Sequence, residues 1–146
     1  MLLAEIGVYV AAQSIAVPFN TTLTRATNLF EGEMGPGVGS ATDPIRQVAL
    51  LEYGGPAPEP DMGNDRTRLE MARFQVMVRH DVYATGRLLI QQIANALAGV
   101  CNESLTGVRY LSVTALQSNP TQLPRDANRR WLWTWNFEAM KEVSTS

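Results

Sequence analysis

The chain has 146 residues, 45% of them hydrophobic and 18% charged, with a net charge of −2 and a pI near 5.4. That is the composition of an ordinary globular protein, and it supplies no overall basic field of the kind that grips nucleic-acid phosphates. A single cysteine, Cys101, and a single histidine, His80, exclude an intramolecular disulfide framework, cysteine-cluster metal sites, and most zinc and Ser-His-Asp arrangements.

The length suits one domain over residues 1–146, since two separate cores would each be marginal. The apolar stretch Leu2–Val17 has no basic leader and carries Glu5 and Gln13, and it is too short and interrupted to span a bilayer. Leu3, Ile6 and Val10 fall at helical spacing, which predicts a helix from Leu2 to about Ile15, ended by Pro18, in a protein made in the cytoplasm. A short strand is expected at Thr27–Phe30, closed by Gly32. Gly35–Ser40 reads as a flexible loop, and a longer strand is expected from Pro44 to Tyr53.

Gly54–Thr67 is dense in Gly, Pro, Asp and Asn and reads as an extended, proline-rich excursion of the same domain. From Arg68 to His80 the pattern alternates. Ala72, Phe74, Val76 and Val78 face one way, and Arg73, Gln75, Met77 and Arg79 the other, which predicts a half-buried strand. Asp81 is placed to cap a helix from Val82 to about Leu97, stopped by Gly99. Leu111, Val113 and Ala115 alternate with Tyr110, Ser112 and Thr114 in a further strand. Ser118–Asn128 reads as loop. A last strand, Arg129 to about Val143, puts Trp131, Trp133, Trp135 and Phe137 on one face. Strand pairs joined by loops, without regular βαβ alternation, imply an α+β fold: a four- to five-stranded, mostly antiparallel (mixed) sheet with two helices on one face.

Little in the sequence carries chemistry. The Gly35–Ser40 loop lacks the Lys-Ser/Thr ending of a phosphate-binding loop. Glu52, Glu59, Asp61 and Asp65 gather around the proline-rich excursion, where solvation deprives them of the contrasting environments that acid–base pairs need. Cys101 has no base beside it and reads as a partly buried, unreactive thiol; His80 reads as an ordinary turn residue. No catalytic residue, cofactor site or metal site is expected. Arg125, Arg129 and Arg130 stand beside the strand on which three tryptophans share one face, and that face fits a core first, a subunit interface second, and a single-strand stacking platform third.

Together these residues resemble a family, the tail terminator and minor capsid (tail completion) proteins of long-tailed bacteriophages. The resemblance begins at the strand Phe74–Arg79 with Asp81 and the helix carrying Tyr83, Ala84, Ile93, Ala96, Leu97 and Gly99. It continues through Tyr110-Leu111-Ser112-Val113 and closes with Pro124, Arg125-Asp126 and the strand ending Asn136-Phe137-Glu138. It spans most of the chain, and the order of elements counts for more than any one motif.

The resemblance implies a structural virion subunit at the head–tail junction. Such a subunit closes into a ring, usually of six copies, that caps the tail-tube protein and meets the head connector. Genomic DNA would pass through the lumen without sequence-specific binding, and no membrane is involved. A head-completion or minor capsid subunit is the neighbouring reading, and a nucleic-acid-binding module is the reading from another class. The expected assembly residues are Pro56, Pro58, Pro60 and Asp61 in the excursion and the arginines Arg125, Arg129 and Arg130. Prolines lower the entropy lost when an arm is ordered, and arginine supplies directed polar contact.

Overall fold

The computed structural model describes residues 2–13, 16–17, 21–32, 46–55, 59–61, 64–125 and 129–144. The Gly35–Ser40 loop, Pro56 and Pro58 lie outside them. The elements in chain order are α1 (Leu2–Ala12), β1 (Ala16–Val17), β2 (Thr21–Thr22), β3 (Leu29–Glu31), β4 (Gln47–Tyr53), β5 (Glu59–Asp61), β6 (Asn64–His80), α2 (Tyr83–Ala98), β7 (Cys101–Leu105), β8 (Val108–Ala115), β9 (Thr121–Leu123) and β10 (Trp131–Ser144). β1 and β2 form a separate small ribbon. The other eight strands make one sheet in the order β3-β4-β6-β10-β8-β7, with β5 hung on β6 and β9 on β10. Among the described strands of this sheet, β3 and β4 pair in parallel and the other pairs are antiparallel.

The mixed α+β class and the two helices agree with the sequence expectation, but the sheet has more strands than the four or five expected. The additional ones are short. β7 is hidden in sequence because Cys101, Asn102, Glu103 and Ser104 are all exposed, so no burial alternation marks it. It is defined by its hairpin with β8, whose turn residues Thr106 (φ 50°) and Gly107 (φ 83°) both take positive φ, as a type I′ turn requires. β9 is three residues within the stretch expected as loop, and pairs Thr121–Leu123 with Leu132–Thr134. Pairing also reaches into the Gly54–Thr67 segment, where β5 lies antiparallel to the start of β6.

β6 and β10 run side by side for fourteen paired residues, from Trp131↔His80 to Ser144↔Thr67. The expected alternation holds on both strands. Phe74, Val76 and Val78 on β6 and Trp133, Trp135, Phe137 and Ala139 on β10 are all buried on the helix-bearing face. Phe74 and Phe137, directly opposite each other, stack with centroids 5.5 Å apart. β8 departs from simple alternation. A register shift opposite Met140 and Lys141 leaves Leu111 as an extra residue, so Tyr110 joins Val113 on the buried face.

α2 lays Leu89, Ile90, Ile93, Ala94 and Leu97 on this face. Gly86 lets it approach closely, because a Cβ there would lie 2.8 Å from the His80 Cβ and 3.2 Å from the Trp133 indole nitrogen. Asp81 does not cap α2. Val82 takes the cap position without a side-chain hydrogen bond, and Asp81 is drawn instead to Arg46. α1 touches β3 and β4 near one sheet edge and β7 at the other, so the sheet curls and the helix lies across the gap. Leu2, Leu3, Ile6 and Val10 point into the same core as α2.

Glu5 is the buried polar residue on that inner side of α1. Its Oε1 accepts a hydrogen bond from the Tyr110 hydroxyl at 3.0 Å and lies 3.5 Å from Lys141 Nζ, joining α1 to β8 and β10. Burial, then the adjoining Glu5 carboxylate, pushes the Tyr110 hydroxyl well above the usual tyrosine range, so it remains a donor. Removing one partner of such a pair leaves the other charge buried. Glu5→Ala is therefore expected to lower the unfolding free energy by about 3 kcal/mol, with the loss reduced when Lys141→Met is added. Urea unfolding of the two single variants and the double variant measures this; additive losses would contradict the coupling.

Candidate assembly surfaces

The β6–β10 ribbon has two dissimilar ends. At the end where β6 stops and β10 begins, the strands deliver His80 and Trp131 opposite each other, just before α2 starts. Tyr83, in the first turn of α2, sits edge-on to Trp131 with centroids 5.0 Å apart and 5.1 Å from Trp133. Arg125 lies over the Trp131 ring at 4.1 Å and donates from Nε to the Arg129 carbonyl at 2.9 Å. Arg129 itself takes a positive φ of 60°, a bend that leads the chain into β10. Val82 and Tyr83 remain 43% and 48% exposed, which leaves a mixed aromatic and cationic surface open at this end.

Beside that surface, an exposed ion pair fixes the turn between strand and helix. Arg46 grips Asp81 through two hydrogen bonds, Nε to Oδ1 at 2.6 Å and Nη2 to Oδ2 at 3.1 Å. These bonds hold the Asp81 carboxyl below the usual carboxylate range. His80 is fully buried, and its Nδ1 accepts the Val82 amide at 2.9 Å. Accepting at Nδ1 requires the neutral imidazole. Burial is the main cause that pushes its pKa below the ordinary value, against an opposing pull from Asp81.

At the other end the ribbon extends past β4. There β5 joins β6 and β10 in a three-stranded arm, with Pro60 opposite Arg68 and Glu59 opposite Leu69. Along one flank of its base runs a cleft of about 170 Å³, lined by Glu52, Glu70 and Met71 among others. The helix-free face between the two ends carries cross-strand polar pairs, Gln75 to Asn136 at 2.9 Å and Arg73 to Glu138 at 3.0 Å.

The residues expected to serve assembly therefore fall in two places. Arg125, Arg129 and Arg130 lead into β10 at one end, while Pro60 and Asp61 lie in β5 at the other, roughly 40 Å away along β6 at 3.3 Å per residue. The tryptophans divide likewise: Trp133 and Trp135 are core residues at 3% and 4% exposure, and Trp131 is half-buried under Arg125. Cys101, expected to be partly buried, is exposed because it opens the edge strand β7 rather than following α2 into the core.

Sequence reasoning missed the Arg46–Asp81 pair, 35 residues apart, and grouped Glu52 with the carboxylates of the excursion although it belongs to β4. The Thr106-Gly107 dipeptide between alternating residues was the available signal for the β7–β8 hairpin. Among the described residues there is no group of His, Cys, Asp and Glu able to hold a metal ion, and no helix is long and apolar enough to cross a membrane.

Comparison with known proteins adds an independent line. A family model described as bacteriophage tail terminator protein matches residues 4–143. Among solved structures, a chain from the virion of a native gene transfer agent particle aligns with a TM-score of 0.54 at 17% sequence identity, over 80% of this chain and 80% of that one. At that identity the likeness concerns the fold. No curated protein matches the chain.

The His80 site has a pH consequence. A pKa depressed by folding means that the unfolded chain takes up the proton first, so stability is present above the unfolded value and declines as pH falls below it. Urea unfolding between about pH 7.5 and about pH 5.5 should show declining stability on the acid side. The slope should flatten in His80→Asn, which keeps an acceptor for Val82 but cannot titrate in this range; an unchanged slope would assign it elsewhere. Asp81, depressed below 3.8, titrates outside this window.

Proposed function

The chain belongs to the bacteriophage tail terminator family, a structural component of the virion, and from that premise we propose that it closes into a ring at the head–tail junction. The ring, with six copies as the expected number, caps the end of the tail tube and presents its opposite side to the head connector. The observation that carries the reading is the pair of dissimilar surfaces at the two ends of the β6–β10 ribbon. A cyclic ring is built from heterologous contacts, so each copy needs two different patches that complement one another.

The family role is structural, and we read the chain as a non-catalytic subunit of one domain. Its site residues are assembly residues. Arg125, Arg129 and Arg130 serve at the arginine end, and the segment holding Pro56, Pro58, Pro60 and Asp61 serves as an arm toward a neighbouring ring or tube. A β-strand arm is suited to this task, because an edge strand offers unpaired amides and carbonyls to a neighbour's backbone. Genomic DNA passes through the lumen without sequence readout, which a mildly acidic chain allows because it does not retain the duplex electrostatically.

A head-completion role uses the same kind of fold, and the family match favours the terminator over it. The nucleic-acid-binding reading is weakened by the burial of Trp133 and Trp135, which removes two of the three rings a stacking platform would use.

Purified chain added to polymerising tail-tube protein should arrest elongation and shorten the tubes in a concentration-dependent manner. Negative-stain length distributions measure this directly. Tubes that grow to the same length with and without the chain would contradict the terminator role.

A further inference from the structure

Two patches on the ribbon carry charge of opposite sign. At the end where β10 begins, the exposed Arg125 and Arg129 meet through the hydrogen bond from Arg125 Nε to the Arg129 carbonyl, and Arg125 lies over Trp131 beside exposed Tyr83; nearby Arg46 is paired with Asp81. At the other end, Glu52 and Glu70 project from β4 and β6 on the helix-bearing face and flank the 170 Å³ cleft. Gly55 forms part of the cleft wall by pressing its backbone against the Met71 carbonyl, where a Cβ would collide. Arg73 also lines the cleft but is turned to Glu138. Lys141, directly opposite Glu70, is drawn to Glu5. Among the described residues neither Glu52 nor Glu70 has a hydrogen-bond or ion-pair partner. Their negative field reaches Tyr110, adding to the stronger effects of burial and of Glu5 that raise its pKa.

We infer that the arginine end of one copy docks on the Glu52–Glu70 cleft of the next copy, with Arg125 or Arg129 entering between the two carboxylates. The planar guanidinium is the side chain best shaped to bridge two carboxylates, and the adjoining Tyr83 and Trp131 supply apolar contact around it. The patches lie roughly 33 Å apart along β10, at 3.3 Å per residue, so they cannot satisfy each other within one chain. Like charges at each end oppose the symmetric pairings, arginine end to arginine end or cleft to cleft, that would stop at a dimer. The complementary patch is carried by this chain itself, and that identifies the occupant as a second copy. The inference rests on the ring reading above and names its contact.

Charge exchange tests it. Arg125, Arg129 and Glu52 are exposed, and Arg125 gives up only its surface contacts with Trp131 and the Arg129 carbonyl, so R125E/R129E and E52R should stay folded with melting temperatures within roughly 5 °C of wild type. Each is expected to raise the concentration needed for assembly on purified tail tubes by about tenfold or more. The triple variant R125E/R129E/E52R, and an equal mixture of the R125E/R129E and E52R proteins, should each assemble at lower concentration than the single-sided variants, because the introduced acidic side chains then meet the introduced cation at position 52, while Glu70 and Arg130 keep their charges. Mass photometry and electron microscopy of capped tubes give the readout. Assembly of both single-sided variants at wild-type concentrations would overturn the inference and leave the ring reading standing. Loss in both without recovery in the triple variant or the mixture would also overturn it. A wild-type chain that neither self-associates nor caps tubes would overturn the ring reading, and this inference with it.

Discussion

The fourteen-residue pairing of β6 with β10 is the constraint on which the rest of the molecule depends. A ladder of that length fixes the register of both strands. Because side chains alternate, it decides at once which residues enter the core and which face outward. A one-residue slip would carry Phe74, Val76 and Val78 to the helix-free face and would separate Phe137 from Phe74. β4, β5, β8 and β9 all pair with this ribbon, and α2 packs across it. The two proposed assembly ends are its ends, so their separation follows from the same register that builds the core.

The second organising contact is a buried polar cluster of residues far apart in sequence. Curling brings the two sheet edges toward one helix, and Glu5 lies where α1 meets β8 and β10. Burying a carboxylate is unfavourable unless it is paired and hydrogen-bonded, and here Tyr110 and Lys141 both serve it. Specifying one seat for α1 is a service that an apolar contact, tolerant of sliding, performs less well. At the opposite end Arg46 and Asp81 act more superficially, fixing the strand-to-helix turn that presents Tyr83 beside Trp131. Both contacts hold a surface in place, which suits a structural subunit of a virion.

Much of this was legible in the sequence where periodicity spoke. The alternation from Arg68 to His80 and from Trp131 to Phe137 gave the two central strands and their buried faces, and helical spacing gave α2 to within a residue at each end. What was not legible has physical reasons. β7 and β9 are edge strands with exposed side chains, so burial leaves no period to read. The extra residue Leu111 makes Tyr110 and Val113 share a face, which strict alternation forbids. Asp81 has the right chemistry and position for a helix cap, yet a charged partner 35 residues away in sequence outcompetes the cap. Long-range partners such as Arg46–Asp81 or Glu5–Lys141 leave no local signature, and the assembly residues could be grouped by type but not assigned to opposite ends.

The central claim is one of location: the chain occupies one place on the particle, where tail meets head. The most direct measurement is cryo-electron microscopy of intact virions carrying a small affinity label on this chain. The account predicts one ring of labelled copies per particle, confined to the head-proximal end of the tail tube. Label spread along the tube, or absent from the junction, would contradict it.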